Sequence, residues 1–221
     1  MVYSHKSVEL EYYIREGISP VAQDISNLRK HFQMRESLYR LLGLLPSFFR
    51  EKNIIEIGPG SGHNSIYTAS LLPKSYELVE PNPLGVKEIK KLFKNLTVKH
   101  TKPKIFLKRI DDFKRKKKYD IAISEGWLGG TDNYEKKMYT KFSSFVKSKG
   151  LLIHTFYPPI GGMATFLRRL ISFRFINKKV TIKENTVTLE KAFTSHLKTM
   201  SSMTRSYKDW IHDNILNPHI Y

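Results

Sequence analysis

The sequence predicts an α/β fold: a doubly wound, mostly parallel sheet with helices before it and a helical segment after it. Three observations predict this class. Five short runs rich in β-branched and aromatic residues alternate with helical patterns between residues 53 and 156. A glycine-rich loop joins the first run to the helix that follows it. The 221 residues are 40% hydrophobic, which is enough to build a core.

The predicted elements divide the chain into three segments. Residues 1–50 form an N-terminal helical segment, and residues 51–156 form the α/β core. Residues 157–221 form a helical lid, a substrate-binding segment or an oligomer contact. In the first segment, five apolar residues share one face of a predicted helix, which Pro46 ends or bends. They are Met34, Leu38, Leu41, Leu42 and Leu45.

The core contains five predicted strands, which cover residues 53–57, 76–80, 104–108, 119–124 and 151–156. The predicted helices between them cover residues 63–72, 83–93 and 133–148. Helical crossovers between consecutive strands make the sheet parallel, so that the carboxyl ends of the strands meet at one edge. Ligands of open α/β sheets bind outside that edge.

The last segment changes character. Residues 157–162 predict a turn, residues 163–176 a basic amphipathic helix, and residues 187–215 a long helix. The basic amphipathic helix has three interpretations, which stay open. It packs against the sheet or a dimer partner, it covers a substrate, or it binds an anionic membrane surface.

The chain is strongly basic, with 38 Lys and Arg against 20 Asp and Glu and a formal charge of +18. An acidic partner is one interpretation; a solvated lysine-rich surface is the simpler one, because 27 of these residues are Lys. Cysteine is absent, which excludes disulfides, thiolate metal sites and a cysteine nucleophile. The first residues lack the apolar core of a signal peptide, and we expect a cytoplasmic protein.

The glycine-rich loop is the most informative motif. The strand ends in Glu56-Ile57, and Gly58-Pro59-Gly60-Ser61-Gly62 follows before the helix. Glycine lets the backbone turn sharply and approach a ligand, and the start of a helix offers free N–H groups. The spacing fits neither GxxxxGK[ST] nor GxGxxG.

This segment resembles motif I of class I S-adenosylmethionine-dependent methyltransferases, and the resemblance extends over about residues 30–156. It implies a Rossmann-like fold, a transferase activity and S-adenosyl-L-methionine as the cofactor. It also implies a set of cofactor-binding residues: Glu56, Gly58, Pro59, Gly60, Gly62, Glu80, Pro81, Asp111, Asp112, Phe113, Ser124 and Arg35.

Several of these residues have a specific expected role. Glu80 ends the second strand, where a carboxylate accepts both ribose hydroxyl hydrogen bonds. In the resembled family an acidic residue after the third strand binds the adenine amino group. Asp111 or Asp112 would do so here, with Ile110 or Phe113 covering the ring. Arg35 would pair with the methionine carboxylate, or it is an ordinary surface arginine.

The residues 119–127 resemble motif IV, whose strand end borders the methyl group. Removing a proton from the acceptor requires a general base near the ends of the fourth and fifth strands. Glu125 and His154 are the candidates, with Trp127 and Tyr157 as walls of the pocket. For His154, which lies in an apolar strand, a buried structural role is the alternative and is favoured over the base.

The substrate class is narrowed by what the sequence lacks. Ser124-Glu125-Gly126-Trp127 replaces the [DN]-P-P-[YFW] motif of adenine amino methylation, and Glu125 with Asp132 is too small a set for a metal site. We expect an oxygen or nitrogen acceptor in a small molecule, a sugar or another glycan, or a glycolipid intermediate. RNA methylation and a non-catalytic cofactor-binding scaffold are the alternatives. Nucleic acid, a membrane surface and a second copy of the chain are possible partners.

Overall fold

The computed structural model describes residues 8–19, 22–126, 133–155, 159–200, 203 and 205–217. Five parallel strands form one sheet in the order β3-β2-β1-β4-β5. Their bounds are β1 Asn53–Ile57, β2 Ser75–Glu80, β3 Lys104–Leu107, β4 Tyr119–Glu125 and β5 Val146–Thr155. The chain order reverses between β1 and β4, so the carboxyl ends of these two strands flank the ligand-binding crevice of such sheets.

The helices follow the alternation expected from the sequence. They are α1 Val8–Glu16, α2 Leu28–Leu41, α3 Ser65–Ser70, α4 Pro83–Asn95, α5 Asn133–Ser143, α6 Pro159–Ser172, α7 Ile182–Lys198 and α8 Tyr207–Ile211. A short 3-10 helix covers Pro46–Phe48, and a π-helical turn, His212–Leu216, continues α8. No helix in the described ranges combines the length and apolarity needed to cross a membrane.

Each face of the sheet has its own apolar core, because successive residues of a strand point to opposite faces. Ile54 of β1 packs with side chains of α2, α3 and α4, such as Tyr39 and Ile66. Its neighbour Ile55 packs on the opposite face with Phe142 of α5. A third core joins α7, α8 and the π-helical turn.

The N-terminal helix α1 is bonded to the C-terminal helices. The Tyr12 hydroxyl lies 2.7 Å from Nδ1 of His212, whose Nε2 lies 3.2 Å from the Thr186 hydroxyl. The Tyr13 hydroxyl donates to Asp213 at 3.0 Å. These buried contacts hold the two ends of the described chain together.

Three sequence expectations about element bounds are wrong. The predicted turn at residues 157–162 is helical from Pro159, since proline is well tolerated at the first position of a helix. Strand β5 starts at residue 146, before the predicted 151, and includes an irregularity opposite β4. The predicted helix 187–215 is two helices, because Thr181 and Glu184 form a capping box at the start of α7 and Ser206 caps α8.

The predicted apolar face of α2 exists but is not buried. Met34, Leu38, Leu41 and Leu42 are exposed, and Leu41 keeps 85% of its surface accessible. The buried side of this helix instead carries His31, Arg35 and Tyr39. The helix therefore directs polar side chains inward, towards the carboxyl end of the sheet.

Candidate functional site

The glycine loop adopts the conformation for which its composition is suited. Gly58, Gly60 and Gly62 have φ angles of 70°, 59° and 79°, a left-handed region that side chains with a Cβ rarely enter. A Cβ at Gly62 would also lie 2.8 Å from Cγ1 of the buried Ile89. The motif is thus required both by the turn and by the close packing of α4.

Glu80 joins this loop to the second strand. The Gly60 N–H donates to Oε2 of Glu80 at 2.8 Å, and the Asn82 N–H donates to Oε1 at 2.8 Å. Burial raises the pKa of Glu80 to about 7, although both backbone hydrogen bonds oppose the rise. A carboxylate oxygen can accept more than one hydrogen bond, so Glu80 can still accept hydrogen bonds from ribose hydroxyl groups.

Glu56 is buried one residue before the end of β1. The Tyr76 hydroxyl of β2 donates a hydrogen bond to its Oε2. Burial raises the pKa of Glu56 to about 7, and the charge of Glu125 adds to the rise. Glu56 is therefore a buried carboxyl group whose pKa lies near neutral pH.

Arg35 and Glu125 form an ion pair at the same edge of the sheet. Nη2 of Arg35 lies 2.5 Å from Oε1 of Glu125, and the Tyr39 hydroxyl donates to the same oxygen at 3.1 Å. Asn64 Nδ2 approaches the other oxygen at 3.4 Å. Burial lowers the pKa of Arg35, but the charge and the hydrogen bond of Glu125, together with Tyr39 and Glu56, outweigh burial and the pKa is raised.

This pair changes what each residue offers to a ligand. The Arg35 Nε is buried and has no hydrogen-bond partner among the described residues, so it can still donate to a carboxylate. In contrast, Oε1 of Glu125 already accepts hydrogen bonds from the Arg35 guanidinium and the Tyr39 hydroxyl. The pair makes Glu125 a group that orients Arg35, in addition to the predicted role as a base.

His154 and Ser124 lie in register on adjacent strands, β5 and β4. The His154 ring packs against Tyr139 and Phe142 of α5, with centroid distances of 5.7 and 6.2 Å. These ring contacts are those of a histidine with a structural role. The Ser124 hydroxyl is fully buried and has no partner in the described part of the chain, next to the end of β1 at Ile57.

The predicted adenine-binding residues follow β3. Asp111 is partly buried and forms an ion pair with Arg109 at 3.1 Å, whereas Asp112 is exposed. Phe113 is buried between aromatic rings of the core, with centroids 5.1 Å from Phe106 and 5.7 Å from Phe145. Ile110 is buried in the same core. The choice between Asp111 and Asp112 stays a prediction.

The sequence did not indicate that the N-terminal segment contacts the residues that follow the glycine loop and β2. The carbonyl of Ile18 accepts from Asn82 Nδ2 at 2.8 Å, and the Gln23 N–H donates to His63 Nδ1 at 2.7 Å. The His63 carbonyl in turn lies 2.8 Å from His31 Nε2. Of these residues, only Asn82 has a local sequence signal, because an asparagine directly before Pro83 is a common N-cap of a helix.

Some predicted residues cannot be placed. Trp127, Asp132 and Tyr157, as well as Phe156 at the predicted strand end, lie outside the described residues. Within the described ranges, no group of three or more His, Cys, Asp or Glu residues is arranged to hold a metal ion.

The fold has counterparts among solved structures. Magnesium protoporphyrin IX methyltransferase (ChlM) from Synechocystis PCC 6803, solved with bound SAM, is 16% identical with a TM-score of 0.52. That similarity covers 71% of this chain and 79% of ChlM. The chain therefore has the class I methyltransferase fold.

A similarity in sequence supports the same fold. Ribosomal RNA small subunit methyltransferase G from Campylobacter jejuni subsp. jejuni serotype O:23/36 (strain 81-176) is 26% identical over 128 residues. The match covers 57% of this chain and 67% of that protein. No protein-family profile matches the chain.

Substituting Gly62 tests the packing of the loop. We expect Gly62→Ala to lower the free energy of unfolding by roughly 2–3 kcal/mol, because the methyl group meets Ile89 and φ is positive. Gly43→Ala is the matched control: its φ is 75° and nothing lies within 4 Å of the added Cβ. It should cost only about 1 kcal/mol. Equal losses in urea denaturation would contradict the close packing.

The pKa of Glu56 predicts a pH-dependent stability. The pKa of Glu56 is raised from 4.5 to about 7 by folding, so the folded protein favours the protonated carboxyl group. The protein therefore loses stability as the pH rises from 4.5 to about 7. Glu56→Gln removes this loss and should stabilise the protein above pH 7 by up to about 3 kcal/mol, with little effect near pH 5. Denaturant unfolding across this range measures it. The exposed Glu36→Gln is the control, and a pH-independent difference between Glu56→Gln and wild type would contradict the buried ionisation.

Proposed function

We propose that the chain is an S-adenosylmethionine-dependent methyltransferase that acts on an oxygen or nitrogen of a small molecule, a sugar or a glycolipid intermediate. One observation carries the proposal: the 2.8 Å hydrogen bond from Gly60 to Glu80 joins the glycine loop to the tip of β2. This places loop backbone and a carboxylate side by side at the carboxyl edge of the sheet, where nucleoside ligands of such folds bind.

The residues present fit the cofactor. The loop from Gly58 to Gly62 approaches a ligand through backbone alone, and Glu80 offers its oxygens to ribose hydroxyl groups. The unused Nε of Arg35 suits the methionine carboxylate. Asp111 or Asp112 would bind the adenine amino group. The cofactor, when bound, supplies an activated methyl group.

The protein's own part in the reaction is alignment and proton removal. An acceptor has to lie in line with the transferred methyl group, and its proton has to leave for a nearby base. Glu125 is the stronger candidate for that base because it ends β4 beside Arg35. His154 is the alternative, although its ring packs against Tyr139 and Phe142.

Isothermal titration with S-adenosylhomocysteine tests the cofactor assignment. We expect wild type to bind and Glu80→Ala to weaken binding by at least about tenfold, since the variant loses the ribose acceptor and frees the Gly60 N–H. Gly60 replaced by a bulky residue should weaken binding similarly. Glu36→Ala, an exposed carboxylate on α2, is the control. Absence of binding by folded wild type at millimolar ligand would reject the proposal.

RNA methylation is the second candidate, because two observations favour it. One is the sequence similarity to an rRNA methyltransferase. The other is the basic stretch 86–118, with fourteen Lys and Arg and three acidic residues. Arg115 and Lys117 in this stretch already pair with Glu77, so they contribute less to a binding surface than their charges suggest.

A gel shift with structured RNA at low and physiological salt distinguishes this candidate. If RNA is the acceptor, Lys90→Glu/Lys94→Glu on the exposed side of α4 should weaken binding by roughly tenfold or more. Lys191→Glu/Lys198→Glu on α7 makes the same charge change elsewhere and should have little effect. Binding that vanishes at physiological salt, or falls equally in both variants, would contradict RNA as the acceptor.

A further inference from the structure

Helix α6 has its polar side turned towards the protein. Nε of Arg168 donates to His196 Nε2 at 3.0 Å, and its guanidinium lies 5.7 Å from the centre of the Trp210 ring. Nε of Arg169 donates to the Asn214 carbonyl at 2.8 Å. Ser172 is almost completely buried. The arginines that the sequence alone would place in solvent therefore attach the helix to α7, α8 and the π-helical turn.

The apolar side of α6 is turned outward. Ile160 keeps 83% of its surface accessible, and Phe173, just after the helix, keeps 70%. We call the exposed apolar residues of this region the α6 surface: Ile160, Met163, Phe166, Leu167, Leu170, Ile171, Phe173 and Phe175. An amphipathic helix in a soluble protein normally buries its apolar side, so this orientation is the reverse of the usual one. Exposed apolar surfaces of this kind mark interaction sites.

Charge around the α6 surface selects the type of partner. From residue 159 to residue 183 the sequence has six Lys and Arg and no Asp or Glu. Four of these basic residues are exposed: Arg174, Lys178, Lys179 and Lys183. The next acidic residue in the sequence, Glu184, closes the capping box, and Asp213 of the π-helical turn pairs with Arg205 at 2.6 Å.

A second copy of the chain fits this surface poorly. A symmetric contact through α6 would bring two sets of exposed basic residues together with no acidic residue from this stretch to oppose them. An anionic bilayer offers both complements at once. Its acyl boundary accepts apolar side chains, and its headgroups attract lysine and arginine.

We propose that α6 and the turn after it bind the surface of anionic phospholipid bilayers, with the helix lying in the plane of the interface. The α6 surface enters the boundary between headgroups and acyl chains, while Arg174, Lys178 and Lys179 contact phosphate groups. Helix α6 begins four residues after the end of β5, close to the edge of the sheet that carries the glycine loop. The proposal does not rest on methyl transfer, because it concerns lipid binding alone.

Flotation with phospholipid vesicles tests this proposal on the intact chain. Wild type should float with vesicles of phosphatidylcholine and phosphatidylglycerol at low salt and stay unbound with phosphatidylcholine alone. Phe166→Ser/Leu170→Ser should lower the bound fraction by roughly tenfold, because two anchors are lost. Met34→Ser/Leu42→Ser changes the exposed apolar face of α2 and is the matched control. All four side chains are exposed, so both variants should keep the circular dichroism and thermal unfolding of wild type.

The electrostatic part has its own pair of variants. Lys178→Glu/Lys179→Glu should abolish flotation with anionic vesicles, whereas Lys87→Glu/Lys90→Glu, the same charge change on α4, should leave most of it. Three results would overturn the proposal: no wild-type binding at low salt, equal losses in an α6 variant and its control, or a wild-type dimer in solution that Phe166→Ser/Leu170→Ser dissociates. S-adenosylhomocysteine titration of the same variants should be unchanged, which separates this result from failure of the proposed enzyme.

Discussion

The arrangement of the site depends on one buried carboxylate. Glu80 accepts backbone hydrogen bonds from Gly60 and from Asn82, and thereby connects the loop after β1 with the start of α4. Both hydrogen bonds are buried, and an unpaired buried donor is costly. This connection requires the positive φ angles of the loop and the close packing at Gly62, because they bring Gly60 within reach of β2.

A second constraint is the concentration of buried charge. Glu56, Glu80 and Glu125 all lie at the carboxyl ends of their strands, and Arg35 is the cation that the described residues place against Glu125. Burial raises the pKa of a carboxyl group and a like charge nearby adds to the rise, as burial and Glu125 do for Glu56. Removing charge would stabilise such a core, so its presence indicates a use other than stability. A positively charged sulfonium ligand would lower the cost of these carboxylates, and this is the electrostatic argument for the proposed cofactor.

Strands, crossovers and the glycine motif could be predicted from the sequence because each has a local cause. The predicted fold class is confirmed. The predicted bounds of β1, β2 and β4 agree with the structure to within one residue. Contacts between residues far apart in the sequence have no local pattern from which they could be predicted. The pairing of Arg35 with Glu125 joins residues ninety positions apart, and the hydrogen bond from Gln23 to His63 joins residues forty positions apart. The start of β5 at residue 146 was missed because the first residues of the strand are mostly exposed and polar. No alternation of apolar residues marks them as a strand.

The two amphipathic helices show where reasoning from periodicity stops. A period of 3.6 residues states which side chains share a face, and this was correct for both α2 and α6. It does not state which face meets the protein. In α2, the polar side faces inward because Arg35 and Tyr39 bind Glu125, and Leu28 and Phe32 of the same helix pack beside it against the core. In α6, it does so because Arg168 and Arg169 bind groups of the C-terminal helices. Where polar partners are available, hydrogen bonds and ion pairs compete with apolar burial for the inner face, and the apolar side is left for a second surface to cover.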